Sequence, residues 1–453
     1  MRISVFGLGY VGSISAACLA RAGHDVWGVD INAEKVAMVN RGCPPVLEAG
    51  LPELMAEMRA AGRIRGTCSV HEAVNATDLA LICVGTPGQA SGLPDFSALE
   101  RVAEDIGRSI GVRDQPYTVI IRSTVLPGTT EGVVRSALAR GTRASACAQV
   151  TVGVSPEFLR EGTALDDFTH PPITLIGCDD PATAERVRSL FDGVEAAIVH
   201  TSIRTAEMVK YSCNAYHALK ICFANEIAAM AAALGADGRE VMKIFRMDEK
   251  LNISSAYLRP GFAFGGSCLP KDVRALARIA RSLDVDIPVL SAVMQSNAAQ
   301  VQRGLAEVLA TGQRRVGVVG LAFKPGTDDM RESPSVELVK WLIAEGREVR
   351  IFDSEVSRGR LVGANRRYIE TELPHFSALL CDHLSELIDH AQVLVVLHDD
   401  AYGAAALVAA RPDQIVIDLT KNAQARAAVA AAPSNGHFAP SGDAGMQAPE
   451  LTS

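Results

Sequence analysis

RISVFGLGYVGSISAACLARAGHDVWGVD, residues 2–30, decides the reading of this chain. A short β-branched run leads into Gly7, Gly9 and Gly12, spaced G-x-G-x-x-G, and then into a helical run from Val11 to Arg21. The first glycine permits the tight turn, the second lets backbone approach a pyrophosphate, and the third lets helix and strand pack closely, with the helix N-terminus facing the phosphates. Asp30 ends the next strand, where a carboxylate accepts hydrogen bonds from both ribose hydroxyls and repels a 2′-phosphate. The pattern therefore favours NAD over NADP, although Lys35 is able to reach a phosphate.

Outward from this unit, the runs LALICVG, YTVIIRST, VTVGVSP and ITLIGC alternate with helical stretches as far as Arg204, the pattern of a doubly wound parallel sheet. Gly85, Thr86 and Pro87, and Ser123 with Thr124, follow two of these strands. Their hydroxyls are expected at the carboxyl ends of the strands, where a parallel sheet opens its crevice. From Thr205 to about Gln313 the 3.6-residue period is sustained without a strand run. RVGVVGLAF, EVRIFD, QVLVVLHDD and QIVIDLT then give a second, smaller sheet. The fold class is α/β: an N-terminal Rossmann-like doubly wound sheet (1–203), a central all-helical domain (204–313) and a smaller C-terminal Rossmann-like sheet (314–432). The two α/β halves resemble each other in architecture, without a short repeat. Residues 433–453, rich in Pro, Ser and Gly, read as a flexible tail.

Composition narrows the classes of function. With 44 basic against 52 acidic residues the formal charge is −8, and no basic stripe is present, so neither nucleic acid nor an anionic membrane is an expected partner. No apolar run is long enough to span a bilayer, and Met1 leads straight into a strand, so the chain reads as cytoplasmic. The ten cysteines include no C-x-x-C pair, which argues against structural zinc and a secreted disulfide framework, and no metal is expected.

One cysteine stands apart. GFAFGGSCLPKD, residues 261–272, sets Cys268 between Gly265 and Gly266, which allow close approach to a ligand, and a helix start marked by Pro270. The helix dipole and Lys271 favour the thiolate, the nucleophilic form. On the long helical run that begins near Arg204, Glu207, Lys210, Asn214, His217 and Asn225 form a polar stripe, the expected lining of a cleft. NAD with a nucleophilic cysteine points to oxidation of an alcohol beyond the aldehyde. The thiolate captures the aldehyde, a second hydride leaves, and the thioester is hydrolysed. Lys210 and Asn214 suit an oxyanion, and Asp272 or Glu161 a water. Two other readings fit the residues: a three-part NAD enzyme making one hydride transfer without a thiolate, and a non-catalytic sensor of NAD or a nucleotide sugar.

The GxGxxG start, VGTP, RSTVLPGT, SPEFLREGTA, the Lys210 helix, GFAFGGSCLPKD and GLAFKPGTDDMRESP, in this order over residues 1 to about 425, resemble the nucleotide-sugar 6-dehydrogenase (UDP-glucose/GDP-mannose dehydrogenase) family. CNAYHALKICFANEI and DEKLNISSAYLRPGFAFGG, with His217, Lys250, Asn252, Tyr257 and Arg259, look most like its GDP-mannose branch, with UDP-glucose the alternative substrate. The resemblance implies a four-electron oxidation of GDP-mannose or a related nucleotide sugar at C6 with two NAD, a supply of mannuronate for alginate or a related exopolysaccharide, and a helical core mediating homodimerisation or a higher homo-oligomer. It implies NAD contacts from Tyr10, Val11, Asp30, Lys35, Thr86, Thr124, Lys271 and Arg331. It implies sugar-nucleotide contacts from Glu161, Lys210, Asn214, His217, Asn225, Tyr257, Arg259, Phe262, Gly265 and Lys324, with Cys268 as nucleophile. Arg259 and Lys324 make sense as counter-charges to a diphosphate. Where that branch often has an aromatic pair, this chain reads Ala256 and Tyr257, so one ring contact to the substrate is missing.

Overall fold

The computed structural model describes residues 1–110, 115–142, 150–194, 196–258, 260–266, 268–358, 369–373 and 376–420, and the expected tail lies outside them. The chain forms two compact units, Met1–Ala218 and Leu219–Ser453, so the border falls inside the long helix Ile203–Ala233. In the first unit β1 (Arg2–Phe6), β2 (Asp25–Val29), β3 (Ile64–Thr67), β4 (Leu79–Ile82), β5 (Tyr117–Ile121), β6 (Val150–Val154), β7 (Thr174–Cys178) and β8 (Ile198–Thr201) make one sheet, ordered β3-β2-β1-β4-β5-β6-β7-β8. Every residue of β4 and β5 is buried, as strands covered by helices on both faces require.

This sheet departs from the expected all-parallel pattern at one place: β6 and β7 are antiparallel. Between them only Ala164–Thr169 is helical, too short to form a crossover on the sheet's face, and the chain re-enters the sheet from the end it left. Residues 155–163 are thereby kept at the carboxyl end of β6. The sequence pattern also passes over β3 and β8. IRGT is short and broken by Arg65 and Gly66, and β8 is an edge strand with Ile198 and Val199 about 40% exposed, so neither carries an apolar signal.

In the second unit β9 (Arg315–Val319), β10 (Glu348–Phe352), β11 (Val393–Val396) and β12 (Ile415–Asp418) pair in parallel in the order β10-β9-β11-β12. The likeness between the halves reaches further than architecture. Gly7 (φ 95°) and Gly320 (φ 91°) end their first strands in the left-handed region. The next amide, of Leu8 or Leu321, donates at 2.7 Å to the carboxylate ending the second strand, Asp30 or Asp353.

No strand occurs among the described residues of the 204–313 segment, whose helices are Ile203–Ala233, Gly238–Phe245, Leu269–Ser282 and Pro288–Ala310. Two buried glutamates of the long helix fasten other elements. Glu207 accepts from the N–H of Gly128 (2.6 Å) and Thr130 (2.9 Å), so this member of the polar stripe holds a loop rather than lining a cleft. Glu226 accepts from Val289 (2.8 Å) and Leu290 (2.9 Å) and so caps the helix that starts at Pro288. Glu226→Ala leaves the buried Leu290 donor and the half-buried Val289 donor without that partner. A loss of about 2 kcal/mol is expected, read as a lower midpoint in denaturant unfolding with an unchanged slope.

Candidate functional site

The glycine turn is built as its spacing requires. A Cβ on Gly12 would overlap the carbonyl oxygen of Gly7, so only glycine lets the helix Tyr10–Arg21 rest against the turn. A Cβ on Gly9, the helix N-cap, would meet nothing within 4 Å. No side chain caps this helix and its first turn holds no acidic residue, so the N–H groups of Tyr10, Val11 and Gly12 are open to an anion. Asp30, its side chain 9% exposed, accepts from Leu8 (2.7 Å) and Asn32 (2.9 Å) and lies 3.6 Å from the Lys35 ammonium. Carboxylate oxygens with two lone pairs each retain capacity for ribose hydroxyls. Beside Gly9 and Asp30 lies a cleft of about 330 Å³, lined also by Ile31, Val70, Ala98 and Val102. Ile31 is 97% exposed at its rim, apolar area that a base can cover. These residues fit a dinucleotide.

The Thr86 hydroxyl donates to the Thr124 carbonyl at 2.8 Å, joining the turns after β4 and β5. Behind them Arg122 is buried between the rings of Phe168 and Phe191 and reaches the hydroxyl of Ser15 (3.2 Å) and the carbonyl of Ser155 (3.3 Å).

The loop 155–163 carries both glutamates of SPEFLREGTA. Lys210 pairs with Glu157 (3.0 Å), the two side chains being 9% and 11% exposed, and its ammonium stands 5.5 Å over the Phe158 ring. Glu161 is exposed, within electrostatic reach of the Tyr10 hydroxyl. Sequence reasoning selected Glu161 and passed over Glu157, since only the fold shows which of the two meets Lys210. Asn214 and His217 are exposed on the face of the helix that Lys210 shares.

In the second unit Cys268 is the N-cap of the helix Leu269–Ser282 and is exposed. Lys271 and Arg331 both lie within electrostatic reach of its sulfur. Lys271 also pairs with Asp272 (2.6 Å), and Arg331 with Asp329 (2.8 Å). The crowding at the two glycines comes from the chain itself: a Cβ on Gly265 would strike the Glu332 carbonyl, and one on Gly266 the Phe323 ring at 2.9 Å. Lys324 is exposed, its ammonium 5.4 Å over that ring. Phe262 packs against the core of the smaller sheet. Asn297 exchanges two hydrogen bonds with the Phe264 backbone (2.9 and 2.8 Å), and Gln300 donates to the Gly261 carbonyl (2.6 Å). Neither amide was singled out from sequence, because helical polar residues carry no mark of a loop partner. Asn225 is exposed, and Tyr257 is 85% exposed with φ 62°. Arg259 lies outside the described residues.

Family models match three stretches of the chain. Residues 1–195 match the NAD binding domain of the UDP-glucose/GDP-mannose dehydrogenase family, 204–299 its central domain and 317–423 its UDP binding domain. The GDP-mannose 6-dehydrogenase of Azotobacter vinelandii is 49% identical over 88% of this chain and 92% of its own. The UDP-glucose 6-dehydrogenase of Haloferax volcanii is 37% identical over 78% of this chain and 83% of its own. A crystal structure of a ternary complex of GDP-mannose dehydrogenase from Pseudomonas aeruginosa superposes with a TM-score of 0.89 at 45% identity, covering 92% of this chain and 96% of that one.

The two glycines of the turn separate folding from binding. Gly12→Ala is expected to lower stability by about 3 kcal/mol through overpacking. Gly9→Ala should unfold like the parent yet bind NAD at least about ten-fold more weakly, because its methyl takes the space of the pyrophosphate. Denaturant unfolding and calorimetric titration with NAD check the pair.

Proposed function

Because the chain belongs to the UDP-glucose/GDP-mannose dehydrogenase family and is an NAD-dependent dehydrogenase acting on a nucleotide sugar, we propose that its reaction is the four-electron oxidation of GDP-mannose at C6 to GDP-mannuronate. The observation that carries the substrate is the graded likeness, 49% to a GDP-mannose enzyme against 37% to a UDP-glucose enzyme. UDP-glucose is the runner-up.

In this reading bound NAD would supply the hydride acceptor for each of the two oxidations. Tyr10, Val11 and Gly12 would present N–H groups to its pyrophosphate, and Asp30 would take a ribose. The Cys268 thiolate adds to the C6 aldehyde to give a thiohemiacetal. Loss of hydride leaves a thioester, and water releases the carboxylate and restores the thiolate. Cys268 stands at the N-cap with Lys271 and Arg331 within electrostatic reach of its sulfur. Lys210 and Asn214 stabilise the oxyanion. Glu157, which pairs with Lys210, joins Asp272 and Glu161 as a candidate for proton transfer. Glu161, His217, Asn225, Tyr257, Arg259 and Lys324 serve the sugar nucleotide.

No helix among the described residues is long and apolar enough to cross a membrane, and we place the protein in the cytoplasm. A homodimer formed through the helical segment would cover apolar side chains exposed there, among them Leu219 (49%), Ile221 (62%) and Ile244 (61%). The product would supply mannuronate for alginate or a related exopolysaccharide.

Purified protein offered GDP-mannose, UDP-glucose and UDP-N-acetylglucosamine should turn over GDP-mannose best and release two NADH per sugar. One NADH and free aldehyde would remove the covalent route. Cys268→Ser should bind NAD and GDP-mannose within about two-fold of the parent while losing at least about 100-fold in kcat. Ala256→Tyr, restoring the missing ring, is expected to lower KM for GDP-mannose roughly five-fold, about 1 kcal/mol, with kcat unchanged.

A further inference from the structure

A buried carboxylate outside the sequence motifs ties the cofactor turn to the loop that bears Glu157 and Glu161. Glu48 is 8% exposed. One of its oxygens accepts the Tyr10 hydroxyl and the N–H of Gly162 at 2.8 Å, and the other accepts the N–H of Ala164 at 2.9 Å. Tyr10 is the first residue of the helix whose uncapped N-terminus would receive the pyrophosphate. Gly162 (φ 90°) and Ala164 close the loop, and its left-handed turn favours glycine. Two further carboxylates fasten the same loop: Glu157 accepts from the Leu159 N–H at 2.7 Å, and Asp167 from the Arg160 N–H at 2.8 Å and its guanidinium.

An ionised group in this place needs a reason, since burial penalises charge unless every lone pair finds a donor. Only a carboxylate offers acceptor oxygens to both loop amides and a hydroxyl at once. The Tyr10 hydrogen bond holds the Glu48 carboxyl below the usual carboxylate range. Burial, and then Glu48 itself, push the phenol up, so it stays a donor at working pH.

We infer that Glu48 is a positioning residue: it clamps the loop to the first turn of the NAD helix, so that the helix receiving the pyrophosphate also sets where Glu157 and Glu161 stand. The inference rests on the reading that these glutamates serve the substrate. It assigns catalytic consequence to a residue that touches neither cofactor nor sugar.

The test uses the full-length protein with Glu48→Gln and Tyr10→Phe. Glutamine presents an amide where one loop N–H needs an acceptor. Tyr10→Phe removes one donor without introducing a mismatch, and keeps the test open should Glu48→Gln fail to fold. Expected are a kcat about ten-fold lower for Glu48→Gln and about three-fold lower for Tyr10→Phe, with the NAD dissociation constant within about two-fold of the parent in both. The double variant should be no slower than Glu48→Gln, because both changes act on one contact. A kcat within two-fold of the parent at a temperature where the variants are folded overturns the inference, as does NAD affinity falling in step with kcat. Hydrogen exchange at Gly162 and Ala164 reads the clamp separately. At least about ten-fold faster exchange in Glu48→Gln supports it, and unchanged exchange overturns it. A parent protein inactive on every nucleotide sugar would defeat the proposed reaction and leave the exchange result to judge the clamp.

Discussion

The cofactor end of the molecule depends on a contact that tolerates no side chain: the helix Tyr10–Arg21 rests so closely on the Gly7 turn that a methyl at Gly12 has nowhere to go. That closeness puts the helix N-terminus at the carboxyl end of β1, with its first N–H groups facing outward and uncapped. It also fixes where Asp30 must stand, because the Leu8 amide that follows the turn is satisfied by that carboxylate. A local steric limit thus sets the positions of a positive dipole end and a negative side chain, the two features a dinucleotide reads.

The second unit uses the same device to another end. Gly320 and Asp353 repeat the turn and its carboxylate, yet a Cβ on Gly320 would lie 2.5 Å from the His398 ring, where one on Gly7 would meet the Cys83 carbonyl oxygen at 3.0 Å. His398 is buried and its Nε2 lies 2.9 Å from the Ala322 carbonyl. Asp353, 4% exposed, is filled by the amides of Leu321, Ala322, Glu355 and Val356. Here the turn grips the chain leading to Phe323 and Lys324, the side chains that follow β9.

Sequence reading reached most of the framework because the framework speaks in periodicity. The strands of the smaller sheet and the buried ones of the larger sheet are runs of Val, Ile and Leu, and the Gly7, Gly9, Gly12 spacing has a steric cause that survives any context. The strands it passed over, β3 and β8, are short, and β8 is half open to water. What stayed hidden was pairing at long range. Glu48 meets Gly162 and Ala164, Glu207 meets Gly128 and Thr130, and Lys210 chooses Glu157 over Glu161. A glutamate has the same letters whether it faces solvent or holds a loop, so only tertiary geometry tells which one does so.

These hidden pairs share a chemistry. Glu48, Glu207, Glu226 and Asp353 are acceptor-only groups set against backbone N–H donors at the ends of loops and helices. An amide side chain would bring donors of its own and leave one of the buried N–H groups facing another N–H. A carboxylate takes two or more such donors and brings no donor of its own, which makes its burial tolerable and the loop geometry definite. The groups proposed for the reaction are of the other kind: Cys268 is exposed, and Lys210 pairs with the Glu157 side chain. Carboxylates set against backbone donors make the frame, and the reaction is proposed for side chains outside it.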